Sequence, residues 1–570
     1  MKKRTAWALA ASVAAVAVGA AAVGALALVL RGGGGGARWR GDSYLYLNLQ
    51  EEVPEEPPSQ IGNLLERRPP SLRTLVESID RAGRDPKVKA LVLRVGILPD
   101  AGWGKVQELR DAIERYRLSG KPAYAHLEIC GNREYYLATA CTKVYAIPTA
   151  LLNVTGLAAE VTFFRRSLDK LGVEAQFEGV GKYKNAPNQF TEDHLTGPHR
   201  EQTEALLDSL YSQYVAAIGA SRHKTAAEVQ GIVDHGPYDG SGALAAGLVD
   251  ELIYLDQVEE RLKTTERLNP GPYVKGTRGF AFDRRPKLAV VYAVGDIIPG
   301  ESRNGPFGGD GFVGSDTVAA ALRTAREDDS IRGVILRVDS PGGAGTASEV
   351  IWREVALTRK QKPVVASMGD VAASGGYYIS MGTDAIVAQP GTITGSIGVF
   401  GGKFTLRGLY DKLGVTREII PRGAHAAIFS EYRPWTEEER NRIHDEMVAF
   451  YHDFVSKVAA GRQKSYSDID AVAQGRVWTG TDALRIGLVD RLGGLDTALG
   501  ILKERAHIAK DQEVALVVLP EPKGLLETIL ERQEEGFGAL LPREVRAGLR
   551  WARFGDLQPL ARLPFDLRVR

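Results

Sequence analysis

The chain has 570 residues, too many for one ordinary domain, so two or three are expected. Its 72 Lys plus Arg balance 71 Asp plus Glu, which excludes the strongly basic surface of a nucleic-acid-binding protein. The nine histidines are scattered and there are only two cysteines, so no metal-type cluster and no cofactor is predicted.

Lys2, Lys3 and Arg4 precede 26 residues without a charge, Thr5 to Leu30, and then come Arg31 and the five glycines Gly32 to Gly36. As a helix the uncharged run spans roughly 39 Å, enough to cross a bilayer. The basic flank predicts a cytoplasmic N-terminus with the bulk of the chain outside. Alanine-rich A-x-A sites also fit a cleaved signal peptide, but the length favours a retained anchor. Residues 1–36 therefore read as anchor plus glycine tether. Folded structure starts near Ser43, with a strand over Tyr44 to Leu49 and a Pro/Glu-rich loop over Glu51 to Pro58. A helix over Ser71 to Ala82 and a strand over Val88 to Val95 follow. Cys130 and Cys141, if on or beside one helix, are roughly 16 Å apart. A disulfide needs about 7 Å or less, so no bridge is expected. The same order of elements returns as a strand over Leu288 to Val294, a helix over Thr317 to Arg326 and a strand over Ile331 to Val338. The Gly-rich stretch Pro299 to Gly314 is expected to be a mobile surface loop.

The recurrence is an internal repeat. L-R-V occurs at Leu93 and Leu336, K-P at Lys121 and Lys362, and Y-Y at Tyr135 and Tyr377. D-K-L-G-V occurs at Asp169 and Asp411, and G-L-V-D at Gly247 and Gly487. The offsets run only from 240 to 243. Each half alternates strands and helices, which predicts two α/β domains with largely parallel sheets, residues 41–280 and 285–515. Residues 516–570 form a tail. Its basic part, Arg543 to Arg570, with Trp551 and Phe554, is expected to be a packing helix with a frayed end rather than a membrane-surface helix.

Chemistry is suggested by P-V-V-A-S-M-G-D-V-A-A-S-G-G-Y-Y, where Ser374 sits between alanines and glycines at a strand-to-helix turn. Such a hydroxyl has little steric cover, and backbone N–H groups follow it, which suits a nucleophile; a tight packing turn is the bland alternative. By the Y-Y alignment Ser374 corresponds to Asn132. Lys184, in G-K-Y-K-N-A, corresponds to Ala426, so each half has kept one of two polar groups. A serine needs a base to take its proton, and a lysine serves if burial makes it neutral. Alone, Lys184 would read as a solvated surface lysine. S-P-G-G, Ser340 to Gly343, offers backbone N–H groups to an acyl oxygen. In T-G-S-I-G, Ser396 can hydrogen-bond a nearby amine. A reaction centre is therefore expected where the unlike halves meet.

D-S-P-G-G, the S-M-G-x-x-A-A-S-G-G-Y-Y run, G-T-I-T-G-S-I-G-V-F-G, G-x-Y-K and G-R-V-W-T-G-x-x-A-L-x-x-G-L-V-D resemble the signal peptide peptidase A (protease IV) family in its long duplicated form. The resemblance covers about Ser43 to Leu499. It implies a tandem duplication of a Clp protease/crotonase-like domain behind an N-terminal transmembrane helix. It implies Ser374 as nucleophile, Lys184 as general base, Ser396 as the lysine's partner, and the Gly343 and Gly375 N–H groups as oxyanion hole. It further implies a single-pass inner-membrane enzyme facing the periplasm, assembled as a homotetramer, that degrades signal peptides and other apolar peptides. Asn185 stands where the family commonly has serine. Two other classes are weighed: a crotonase-type acyl-CoA enzyme and a non-catalytic membrane scaffold on a peptidase fold.

Overall fold

The computed structural model describes residues 41–56, 69–264, 266–276, 285–303, 311–520, 560–562 and 568–569. The expected membrane anchor lies outside them, as do Trp551 and Phe554. Among the described residues no helix is long and apolar enough to cross a membrane.

In the first half Ser43–Leu49, Val88–Val95, Ala123–Cys130 and Lys143–Leu152 lie side by side in that order, all parallel. Parallel neighbours need crossovers, and the helices Leu72–Arg84, Trp103–Arg117 and Asn132–Ala138 supply them. Ser71 starts the first helix by accepting the Thr74 N–H (3.4 Å). Leu91 and Leu93 enter the main core while Ala90 and Val92 meet Tyr44 and Tyr46 on the opposite face. Burial on both faces explains the unbroken apolar run V-K-A-L-V-L-R-V.

The second half repeats this with Lys287–Val294, Ile331–Ser340 and Val364–Ala373 in parallel. The fourth position is split: Ala385–Ala388 pairs with the start of Val364–Ala373, and Ile393–Gly395 with its end. The repeated sequence words make repeated bonds. Lys121 Nζ donates to Ala82 O (2.7 Å) and Asp85 O (2.6 Å), and Lys362 Nζ to Ala325 O (2.9 Å) and Asp328 O (2.5 Å). Tyr135 donates to Leu248 O (2.7 Å), and Tyr377 to Leu488 O (2.9 Å). Each Y-Y word thus clips its own half's G-L-V-D word. Gly172 (φ 78°) and Gly414 (φ 69°) end equivalent helices in the left-handed conformation. Cys130 and Cys141 are both buried and free.

A third sheet joins the halves. Its order is Phe312–Gly314, Asp296–Ile298, Gly342–Ala344, Leu560–Arg562, Val399–Thr405, Glu174–Val180. The last strand comes from the first half and runs antiparallel to Val399–Thr405 over seven residue pairs. Buried ions add to the join. Arg337, 1% exposed, reaches Glu55 (2.6 Å) and Glu108 (2.8 Å) of the first half. Asp370 accepts the Gly102 and Lys105 N–H groups (2.7 Å each) at the start of helix Trp103–Arg117.

Two expectations change. The described ends of the Pro299–Gly314 stretch are tied down: Phe312–Gly314 pairs with Asp296–Ile298, and Gly314 N–H donates to Ser302 Oγ (2.9 Å). Residues 304–310 lie outside the described set. The described part of the Glu51–Pro58 stretch, residues 51–56, is the expected loop, and it buries Val53 and Glu55, the latter accepting from Arg337. The described residues of the C-terminal segment, Leu560–Arg562 and Arg568–Val569, are strands rather than a frayed end, because open sheet edges pair with them.

Candidate active site

Ser374 ends the strand Val364–Ala373 and caps the short helix Gly375–Ser380, with φ 54° and ψ −112°. A non-glycine residue held there costs on the order of 1–3 kcal/mol and persists only when its surroundings fix it. They do: Ser374 N–H donates to Gly395 O, and Tyr378 N–H to Ser374 O (2.8 Å each). A Cβ on Gly376 would stand 2.6 Å from Ser340 O, so the helix lies directly on the S-P-G-G turn. Ser396 follows in a second strained position, φ 52°, with its N–H donating to Arg476 O (2.7 Å).

Lys184 arrives from the first half on a tight turn, its N–H donating to Gly181 O (3.0 Å). The neighbouring Tyr183 N–H donates to Gln474 O (2.7 Å) of the second half. Gly475 sits so close that a Cβ there would stand 2.6 Å from Lys184 Cβ. Gln474 to Arg476 therefore hold both the lysine turn and Ser396. Sequence reasoning missed this role: G-R-V-W reads only as part of the motif that carries the family resemblance, with nothing to say what it touches.

These elements bring three predicted side chains together. Lys184 Nζ lies 2.7 Å from Ser374 Oγ, 2.9 Å from Ser396 Oγ and 3.1 Å from Ser396 O. Both serines are fully buried and Lys184 is 5% exposed. Burial alone pushes the Lys184 pKa well below the usual lysine value. Lys105, also buried, is the contrast. Burial acts against its charge too, but Asp339 (3.1 Å) and Asp370 (3.5 Å) outweigh this and leave its pKa above the usual value. One buried lysine has carboxylates and stays cationic; the other has only hydroxyls and a carbonyl. A neutral amine at Lys184 can donate two N–H bonds to Ser396 and offer its lone pair to the Ser374 hydroxyl.

Gly375 is the first residue of its helix, where a backbone N–H has no intrahelical partner. Gly343 is a sheet residue, opposite Ile297 on one side and Ala561 on the other. Asn185 is buried and accepts from Asn188 Nδ2 (3.4 Å). In the first half Asn132, at the serine position, accepts the Thr155 and Gly156 N–H groups (3.1 and 3.2 Å) and serves as a structural clip. Ala426, at the lysine position, is exposed. Among the described residues no group of His, Cys, Asp and Glu is placed to hold a metal ion.

Residues 115–269 and 356–509 each match the family model of peptidase family S49. The chain belongs to peptidase family S49. The two matches fall one in each half, so this S49 peptidase carries the family domain twice. It is 35% identical over 508 residues to the chloroplastic serine protease SPPA of Arabidopsis thaliana, covering 86% of this chain and 73% of that protein. It is 32% identical over 495 residues to protease 4 of Salmonella typhi, covering 84% and 78%. These relatives make it a serine peptidase, which sets aside the acyl-CoA enzyme and the scaffold. Among solved structures, a mutant of the 1510-N membrane-bound stomatin-specific protease with a substrate peptide aligns at 17% identity and TM-score 0.25, over 43% of this chain and 98% of that one. ClpP1 of Listeria monocytogenes aligns at 13% identity and TM-score 0.24, over 38% and 94%.

Proposed function

We propose that this S49 peptidase is a membrane-anchored endopeptidase working through a Ser374–Lys184 dyad formed within one chain, and that it degrades apolar peptides such as signal peptides left after export. The observation that carries the dyad is the 2.7 Å approach of Lys184 Nζ to Ser374 Oγ in a site with no carboxylate to keep the amine charged. The names of the relatives support the peptide class, and Thr5 to Leu30 supports the anchor. The inner membrane, with the catalytic halves facing the periplasm, is the location this implies.

In the first step Ser374 Oγ attacks the peptide carbonyl carbon while its proton passes to Lys184 Nζ. The oxyanion that forms is taken by the Gly343 and Gly375 N–H groups. The Lys184 ammonium then gives its proton to the leaving amine, and an acyl-Ser374 ester remains. Lys184 next takes a proton from water, whose oxygen attacks the ester. As the intermediate collapses, the Lys184 ammonium returns that proton to Ser374 Oγ, freeing the acid and restoring the neutral amine. Ser396 acts as a positioning residue that holds Nζ in line.

The test is labelling by a serine-directed fluorophosphonate, located by mass spectrometry, beside hydrolysis of a fluorogenic apolar peptide. Label on Ser374, with both labelling and turnover rising as pH rises toward the Lys184 pKa, is expected. Label elsewhere, or a rate that falls with rising pH, sinks the reading. Ser396→Ala should lower kcat on the order of tenfold through one lost hydrogen bond. It should also move the rising limb of the pH profile to lower pH, since the ammonium loses an acceptor. An unmoved limb would make Ser396 merely structural.

Assembly with further copies is part of this reading. Val399–Thr405 pairs with Glu174–Val180 across the halves. At the repeat offset the equivalents are Ala159–Glu160 and residues 416–422, which are not paired with each other within the chain. Residues 416–422 are exposed, with Ile420 77% accessible. Pairing these segments between copies, head to tail, would make a closed ring such as the expected homotetramer.

A further inference from the structure

The strand that ends at Ser374 is irregular where its counterpart in the first half is not. Against Ile331–Ser340 its register runs from Val338 opposite Met368 directly to Ser340 opposite Ala372. Asp339 alone therefore stands against Gly369, Asp370 and Val371, a bulge. In the first half the pairing of Val88–Val95 with Ala123–Cys130 keeps step from Leu91 to Val95. The bulge leaves a trace in the repeated words: Lys362 and Tyr377 stand 15 positions apart, Lys121 and Tyr135 only 14. A bulge bends its strand and re-aims the side chains beyond it. Here the strand runs from the bulge to Ser374.

Three charged side chains hold this bulge, and one of them comes from the other half. Asp339 Oδ1 accepts the Val371 N–H (3.0 Å). Asp370 accepts two N–H groups at the start of helix Trp103–Arg117. That helix start presses so close that a Cβ on Gly104 would stand 2.5 Å from Gly369 O. Lys105, on the same helix, puts Nζ 3.1 Å from Asp339 and 3.5 Å from Asp370. The Lys105, Asp339 and Asp370 side chains are 10%, 11% and 13% exposed, so the charges meet largely out of water. Asp339 lies four residues before Gly343, and Asp370 four before Ser374. The repeat equivalents of Asp339 and Lys105 are Gly96 and Ala347, so no such clamp forms around Asn132, the residue that replaces the serine.

We propose that Lys105 is a positioning residue: by joining Asp339 to Asp370 it fixes the bulge, and with it the placing of the Ser374 hydroxyl relative to the Gly343 N–H. This rests on the reading of Ser374 and Lys184 as the dyad. Without the cation two buried carboxylates face each other, and their repulsion pushes apart the two strands that carry them. An oxyanion donor works only where the charge develops, so a shift of about 1 Å costs up to about 10²-fold in rate. The loss falls on kcat, because the oxyanion forms only after the peptide is bound. The first half thus supplies two lysines to the second half's serine, a neutral one that moves the proton and a charged one that sets the geometry.

The test counts working sites before it compares rates. Ser374 is labelled to completion with a fluorophosphonate in the full chain, in Lys105→Met, in Asp370→Asn, in the double variant and in Lys362→Met, and kcat is expressed per labelled site. Lys105→Met should label fully and lose about 10- to 100-fold in kcat, with KM for a fluorogenic apolar peptide unchanged. Lys362→Met, which strips two helix-end contacts from the second half, should keep its kcat per site. Asp370→Asn alone should lose about threefold, since it keeps an acceptor for the helix N–H groups. The double variant removes the repulsion between the two acids and should be faster than Lys105→Met. A merely structural lysine would lower the number of labelled sites and not the rate of each, and a second substitution would not restore it. Wild-type kcat per site in Lys105→Met, or a double variant no faster than Lys105→Met, overturns the proposal. An equal loss in Lys362→Met does so too. If Lys105→Met does not fold, Asp370→Asn decides, and wild-type kcat there overturns the proposal. If the wild type is neither labelled at Ser374 nor active, it is the dyad reading that fails, and Lys105 has no nucleophile to position.

Discussion

Lys184→Met is expected to cut peptide hydrolysis by about 10²–10⁴-fold, the usual contribution of a positioned general base, while making the folded chain more stable. The two effects share one cause. Lys184 is buried against two serines and no carboxylate, so its ammonium form is disfavoured in the fold but not in the unfolded chain. Its folded pKa lies below its unfolded value near 10.5. Between those two values the unfolded chain holds a proton that the folded chain lacks, so wild-type stability rises with pH, by about 1.4 kcal/mol per unit. The burden of the lysine is fully present below the folded pKa and gone above the unfolded one. Calorimetry of wild type and variant from pH 6 to pH 10.5 should therefore show the variant's higher Tm advantage shrinking as pH rises. A gap that widens with pH, or an active variant, would contradict a neutral Lys184.

Arg337→Ala is expected to destabilise the chain by about 3–5 kcal/mol, the usual effect of removing one member of a buried ion group. That corresponds to a fall in Tm on the order of 10 °C. Arg337 Nη1 also donates to Ser367 Oγ (2.8 Å), on the strand that ends at Ser374. The substitution leaves Glu55 and Glu108 buried without their cation, so the loss comes from stranded carboxylates rather than from one missing bond. Replacing all three residues by apolar side chains of similar volume should then recover most of the Tm. Thermal unfolding of the single and triple variants checks this. A triple variant no more stable than Arg337→Ala would show that the carboxylates are not the cause.

How much of this is readable before folding depends on the range of the interaction. Each half's strands and helices are written locally, in apolar runs such as Val88 to Val95 and in caps such as Ser71. The duplication is legible because the shared words make contacts inside each half: Lys121 and Lys362 cap helix ends, and Tyr135 and Tyr377 clip distant loops. The site is legible as far as offset arithmetic reaches, since Asn132 against Ser374 and Lys184 against Ala426 are matters of spacing. The contacts between halves are not. Arg337 inside an apolar strand announces a paired charge, but nothing nearby in sequence names Glu55 or Glu108. Gly475 looks like any turn glycine until Lys184 is seen packed against it. The Leu560 to Arg562 strand is short and unpatterned, and only the open edges on either side give it a conformation.

The division of serine and lysine between two unlike halves has a consequence for when proteolysis can begin. During synthesis the first half emerges with an amine and no hydroxyl to activate, and the second half carries a hydroxyl with no base. On the proposed Ser374–Lys184 reading, neither half is expected to cut a peptide by itself. The strand Glu174–Val180 must first pair with Val399–Thr405, and the Gln474 to Arg476 loop must seat the Lys184 turn. If the proposed dyad carries the reaction, the chemistry acts as a coincidence detector, and a half-made copy is expected to be inert.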